Sequence, residues 1–194
     1  MDDKDDKQVI VTVTRPDTWQ EVKNDALATI GKTSSEYPST EWKTRMLFAE
    51  HSPIRQLVYK IRFENIPYYV AMHLVRHKVG VEHYVSTQRE DRTGEDRAGK
   101  PQDAPVTLTM TANAQAIINI SRKRLCNQAH PETRKAWTEA VRQIIALDPE
   151  MEAVCVPECM YRGFCPEFNP CGKYIGRELL LEELMQARKK GGQK

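Results

Sequence analysis

Hydrophobic residues recur along this chain with two different periods, which divide it into strands and helices. In QLVYKIRFEN (56–65), Leu57, Tyr59, Ile61 and Phe63 alternate with mostly polar neighbours, the period of a half-buried strand. QVIVTVT (8–14) is rich in β-branched residues and predicts another strand, closed by Pro16; VTLTMT (106–111) predicts a third. TWQEVKNDALATIG (18–31) predicts a helix ending at Gly31, and STEWKTRMLFAEH (39–51) one with Ser39 as N-cap. Pro67, in the first-turn position that proline tolerates, opens a helix expected to reach about Lys78. A helix follows the 106–111 strand directly, from Asn113 to about Asn127. The next begins near Pro131 with Trp137, Ala140, Val141 and Ile144 on one face, and a last one is expected from about Ile175.

From Gly80 to Pro105 the pattern fails; the chain is polar and turn-rich around TGEDRAGKPQD, and a loop is expected. Strands and helices mix without regular alternation and without an internal repeat. The fold class is therefore α+β, a mixed or antiparallel sheet flanked by helices. A chain of 194 residues is expected to form one domain with a real core, over 8–194, after a disordered lead MDDKDDK (1–7). A net charge of +2 with 29% charged residues does not suggest a nucleic-acid or acidic-membrane binder. No apolar run approaches the ~18 residues of a membrane span, and the polar start does not suggest a secretory signal. The expected place is the cytoplasm, where the five cysteines would be thiols or ligands rather than disulfides.

Three places hold candidate chemistry. In the first, LVRHKVGVEHYVSTQREDR (74–92), an apolar lead-in ends in Arg76-His77-Lys78, with His73 one turn earlier on the same helical face. A basic helix end explains that triplet alone. It does not explain Ser86, Thr87, Arg89, Arg92 and Arg97 beyond it, because arginines and hydroxyls are the groups that hold phosphate oxygens. The second is TANAQAIINISRKRLC. With Asn113 at zero, Ile117 falls at about 40°, Ile120 at about 340° and Arg124 at about 20°, so Asn113 and Arg124 share the buried stripe. Asn113 serves as an N-cap. A buried Arg124 needs either an ion pair, with Glu132 in reach, or a ligand. The third is CVPECMYRGFCPEFNPC (155–171), whose Cys155, Cys159, Cys165 and Cys171 lie three, five and five residues apart. That spacing lacks the two-residue knuckle of common zinc sites, so no metal is expected to be required.

Together these stretches resemble the flavin-dependent thymidylate synthases. Arg76-His77-Lys78 stands at the head of a stretch similar to that family's R-H-R-x-x-S-x-N-E-x-S-x-R-Y. Thr111-Ala112-Asn113-Ala114-Gln115, then Asn119 and Arg124, match its T-x-N-x-R block with the following asparagine and arginine. Ala129 and Glu132 follow as in A-Q-x-E, Arg97 precedes Asn113 with Pro101 between, and His51-Ser52-Pro53 and the Cys-Pro-Glu and Cys-Gly pieces of the tail fit too. The likeness spans residues 45 to 172. Departures are plain: VGVEHYVSTQRE replaces the rest of the signature, its Asn-Glu pair is missing with only Glu82-His83 nearby, and Lys78 and Gln115 replace arginines.

The resemblance implies a homotetramer of α+β subunits with FAD at subunit interfaces, and methyl transfer from methylenetetrahydrofolate to C5 of dUMP with NADPH as reductant. Carried over by position, Ser52, Arg76, His77, Lys78, Asn113, Gln115 and Asn119 would contact FAD. His73, Arg76, Ser86, Thr87, Arg89, Arg97 and Arg124 would hold dUMP, with Arg124 at the uracil edge as the catalytic charge. Two other readings stay open: a relative that (hydroxy)methylates another pyrimidine nucleotide, and a non-catalytic binding module on the same fold.

Overall fold

The alternation read in the sequence organises an antiparallel sheet. The computed structural model describes residues 8–16 and 18–172; the expected lead at 1–7 and the helix from Ile175 lie outside them. Strands β1 (Ile10–Thr14), β2 (Val58–Pro67), β3 (Val81–Val85) and β4 (Pro105–Asn113) lie in the order β1-β2-β4-β3. Every pairing is antiparallel, so of the two expected sheet types the antiparallel one is found. Tyr59, Ile61 and Phe63 of β2 and Val106, Leu108, Met110 and Ala112 of β4 fill the inner face. Lys60, Arg62 and the β4 threonines turn the other way, as a period of two requires.

Phe63 and Ile66 are both buried although they stand three positions apart, which a regular strand would place on opposite faces. A bulge reconciles the two: Phe63 pairs with Leu108 and Ile66 with Val106, so β2 carries one residue more than β4 over this stretch. Asn65 takes up the irregularity with a φ of 59°, a left-handed conformation that asparagine tolerates.

The helices are α1 (Trp19–Ala28), α2 (Thr40–Phe48), α3 (Tyr68–Leu74), α4 (Glu90–Thr93), α5 (Ala114–Arg124), α6 (Pro131–Leu147) and α7 (Glu158–Arg162). As expected, Ser39 caps α2, its hydroxyl accepting from the Trp42 amide at 3.3 Å. The face of α6 read from the sequence is the one buried, with Trp137 and Ile144 fully enclosed. Trp137 also donates to the buried Ser121 hydroxyl at 3.1 Å, which locks α6 to the middle of α5.

Two expectations fail. Val81–Val85 is an edge strand, not loop, pairing with β4 from Ala112 to Leu108. Its inner side is only Val81, His83 and Val85, too short and too polar a run to stand out as a period. Helix α3 stops at Leu74 rather than near Lys78. The chain has to turn back to begin β3, so Arg76, His77 and Lys78 occupy a turn instead of a helical face.

A buried carboxylate joins the elements of the frame. Asp148, 1% exposed at the end of α6, accepts from Trp19 Nε1 and from the Tyr59 hydroxyl, each at 2.7 Å. Arg15, in the turn after β1, pairs with the same carboxylate. One anion thus holds β1, β2, α1 and α6 together. Removing one partner of a buried pair costs about 3–5 kcal/mol. Asp148→Ala should therefore lower the unfolding free energy by about that amount in a urea titration, while Asp148→Asn, which keeps an acceptor, should lose less.

Candidate active site

The site begins where β4 becomes α5 without a loop. Asn113 is both the last residue of β4 and the N-cap of α5, its side-chain oxygen accepting from the Ala116 amide at 2.9 Å. Its backbone amide donates to the Gly80 carbonyl at 3.0 Å, and its side chain presses on Gly80 so closely that a Cβ there would stand 2.7 Å from the amide nitrogen. Gly80 also holds a φ of 72°, so glycine is required twice over. This joint places the Arg76–Val79 turn beside the course of α5.

At the far end of α5, Arg124 reaches back to that turn. Its Nε–H donates to His77 Nε2 at 2.9 Å, and a terminal nitrogen donates to the His73 carbonyl. The side chain is half-buried, and among the described residues no carboxylate pairs with it. The expected alternative, an ion pair with Glu132, is not formed, because Glu132 accepts instead from the Tyr69 hydroxyl. Burial, and then the charge of Arg76, press the Arg124 pKa down. Burial also dominates at His77, whose pKa falls to about 4 with Arg124 and His83 adding to the effect. His73 is shifted down by burial and then by Arg124, His130 and Arg76. Its Nδ1 lies 2.8 Å from the hydroxyl of Thr133, which is fully buried on α6. The result is a basic cluster with neutral imidazoles, drawn from α3, the turn, α5 and α6.

A second group lies along another face of α5. The Gln115 amide donates to Glu50 and approaches Asn119 at 3.4 Å. Arg122 pairs with Glu50, donates to Asn119 at 3.2 Å and stacks with its guanidinium carbon 3.5 Å from the Tyr161 ring centre. Burial acts to raise the Glu50 pKa, but the hydrogen bonds from Arg122 and Gln115 and the Arg122 charge prevail and lower it. Ser52 is exposed two residues beyond Glu50. Sequence reading missed Glu50 and Arg122. The available signal was spacing: Arg122 stands seven residues after Gln115, two turns along the same face.

The third group stands apart. Ser86, Thr87, Arg89 and Arg97 lie beyond the other end of β3, whose five residues span about 16 Å. Ser86 is used locally, its hydroxyl accepting from the Thr107 amide at 3.1 Å, and Arg89 chelates Asp91 at 2.7 and 2.9 Å. Arg97 is exposed. Ser86 and Thr87 share a shallow cleft with Thr93 and Lys100. One chain thus brings His73, Arg76, His77 and Arg124 together, with Asn113 tied to the same turn through Gly80, but not the hydroxyls and arginines expected to grip a phosphate. Glu82 and His83 face opposite sides of β3. The cysteine quartet is regrouped: Cys155 is buried, which pushes its thiol up to about 12, whereas Cys159 lies near Cys126 and Cys165. Among the described residues no three histidine, cysteine or acidic side chains stand together as metal ligands.

No protein-family model matches the sequence, and no curated protein does. Solved structures do match. A UMP/dUMP methylase, PolB, from Streptomyces cacaoi, bound with 5-Br dUMP, superposes with a TM-score of 0.58 at 15% identity, over 76% of this chain and 97% of that one. Thymidylate synthase X (ThyX) from Helicobacter pylori, solved with FAD and dUMP, superposes with a TM-score of 0.58 at 13% identity, over 77% and 98%. Identity this low speaks to architecture: the chain has the ThyX fold. No helix among the described residues is long and apolar enough to cross a membrane.

The depressed His77 pKa makes stability depend on pH with a definite sign. The folded pKa of about 4 lies below the ordinary 6.5, so the unfolded chain takes up the proton first. The stability that His77 contributes is complete above pH 6.5 and is lost as pH falls towards 4. Melting temperatures measured across that window should fall, and His77→Asn should fall less steeply than the unsubstituted protein.

Proposed function

We propose that this chain is a flavin-dependent enzyme that transfers a one-carbon unit from methylenetetrahydrofolate to C5 of dUMP, with NADPH as reductant. Arg124 carries the reading: a half-buried guanidinium held by an imidazole nitrogen and a carbonyl, with no carboxylate among the described residues cancelling its charge. A fixed positive charge in a site shielded from water stabilises negative charge developing on a pyrimidine ring and so activates C5. Support also comes from the fold shared with a dUMP methylase and with a ThyX solved with FAD and dUMP.

The donors on α5 suit FAD. Gln115, Asn119 and Arg122 share one face, and the buried Arg122 Nε has no hydrogen-bond acceptor among the described residues, a donor suited to an anionic group. Asn113, Gln115 and Asn119, with Ser52, Arg76, His77 and Lys78, would hold the cofactor. When bound, FAD supplies the electrons for the transfer. In this reading His73, Arg76 and Arg124 take the pyrimidine, and Ser86, Thr87, Arg89 and Arg97 take the phosphate. These two sets stand at opposite ends of β3, so the proposal draws them from different copies in a homotetramer. A second reading, action on UMP or another pyrimidine nucleotide, is favoured by the UMP/dUMP methylase neighbour and by Lys78 and Gln115 in place of arginines.

Tritium release from 5-labelled dUMP, UMP and dCMP, with and without methylenetetrahydrofolate, separates these readings. Release from dUMP that needs the folate is the expected result. Purified protein should carry the visible flavin absorbance or acquire it on addition of FAD, and its mass by light scattering should be that of a tetramer. Failure to take up FAD would leave only a binding module on this fold. Arg124→Ala should lower turnover by about 10²–10³ with little change in melting temperature, as for loss of one preorganised contact. Arg124→Lys should recover little, since a point charge on a flexible stem does not reproduce the planar fork.

A further inference from the structure

Among the described residues four arginines are partly buried; Arg134 donates to the carbonyl and side-chain oxygen of Asn127, and the other three are held in two different ways. Arg15 and Arg122, with side chains 9% and 12% exposed, each meet a carboxylate, Asp148 and Glu50. Arg124, two residues beyond Arg122 on the same helix, meets an imidazole and a carbonyl. A carboxylate would hold a guanidinium more strongly, through two charge-assisted bonds, but would also neutralise it. From this contrast we infer that His77 is a positioning residue: its neutral ring aims Arg124 and leaves the guanidinium charge available to an anionic ligand. The inference rests on the reading of Arg124 as the charge that meets the nucleotide.

The hydrogen bond itself fixes the chemistry. Arg124 Nε–H can only donate, so His77 Nε2 must present a lone pair and the ring proton must sit on Nδ1. The groups around the pair keep it that way. Arg124 comes from α5, His83 from β3, Arg76 from the same turn and His73 from α3; each is a base, and none is an acid. Burial, and then Arg124 and His83, oppose a proton on His77, consistent with a ring that stays an acceptor. The geometry is two-point. With the His73 carbonyl fixing a terminal nitrogen and His77 fixing Nε, the guanidinium plane has no freedom to swing.

The test compares His77→Asn, His77→Asp and His77→Ala in the full chain saturated with FAD. Two quantities are read: the Arg124 Nε–H signal by nitrogen-15 NMR, assigned through Arg124→Lys, and dUMP affinity by calorimetry. The signal should be slow to exchange in the unsubstituted protein, persist with Asn and Asp, and vanish with Ala. Affinity should follow a different order: Asn closest to the unsubstituted protein, Ala about tenfold weaker, and Asp about a hundredfold weaker, because an added anion repels the ligand as it neutralises the arginine. A purely structural histidine gives no such crossing, since Asp would then rescue stability and affinity together. The proposal is overturned if the signal survives in His77→Ala, or if His77→Asp binds dUMP as well as His77→Asn. It is equally overturned if all three variants weaken FAD binding alike while their dUMP affinity is unchanged, which would leave His77 only the flavin contact already proposed. Absence of dUMP binding by the unsubstituted chain would end the functional reading, while the Nε–H signal would still decide whether His77 holds Arg124.

Discussion

The junction at Asn113 is the constraint from which the site follows. A strand hydrogen-bonded on both sides passes into a helix within one residue, so the helix inherits the position of the sheet with no loop to blur it. The Ala114 amide donates to the Leu57 carbonyl at 2.8 Å, tying the first turn of α5 to the start of β2. Gly80 is pinned beneath the same asparagine. Eleven residues of α5, about 16 Å at 1.5 Å each, then carry Arg124 to the turn that Gly80 closes. Trp137 and Ser121 hold the helix midway, so its last turn has little room to drift.

Charge is managed by two rules in this small protein. In the frame, Asp148 is buried and fully surrounded by donors, so its ion contributes cohesion and presents nothing to the outside. Beside Arg124, His73 and His77 are pressed towards the neutral form by burial first and by the neighbouring bases next. The first arrangement is a structural solution to a buried ion. The second leaves electrostatic work undone, the condition in which a site awaits an anion.

Much of this was legible in the sequence where a period was long. β2, β4, α5 and α6 each repeat their pattern over enough residues for one face to declare itself, and Arg124 was visible as an oddity on an apolar stripe. Short elements were legible only where composition spoke for them, as in β1. β3 offers three inner positions, one a histidine, and the end of α3 is set by the need to return to β4 rather than by any residue in it. Partners were legible least of all. Nothing in the sequence pairs Asp148 with Arg15, Glu50 with Arg122, or Arg124 with His77, because each contact joins residues that the fold alone brings near. The hydroxyls and arginines after β3 read as one site with Arg124, yet a single chain sets them a strand's length away.

The bulge in β2 makes one short segment the place where the strand can lose a residue without losing its register. Between the Phe63–Leu108 and Ile66–Val106 pairs β2 takes three steps where β4 takes two. A single-residue deletion at Glu64 or Asn65 would make the ladder regular and leave Ile66 facing inward, so the chain would still leave the sheet for α3 in the same phase. A deletion between Val58 and Phe63, where the pairing is already regular, would instead move part of the strand's core residues to the outer face. Natural variation in this protein should therefore include loss of one residue at Glu64 or Asn65 but no gap within Val58–Phe63, while the exposed Glu95–Lys100 stretch can lengthen or shorten without disturbing the phase of any helix that builds the site.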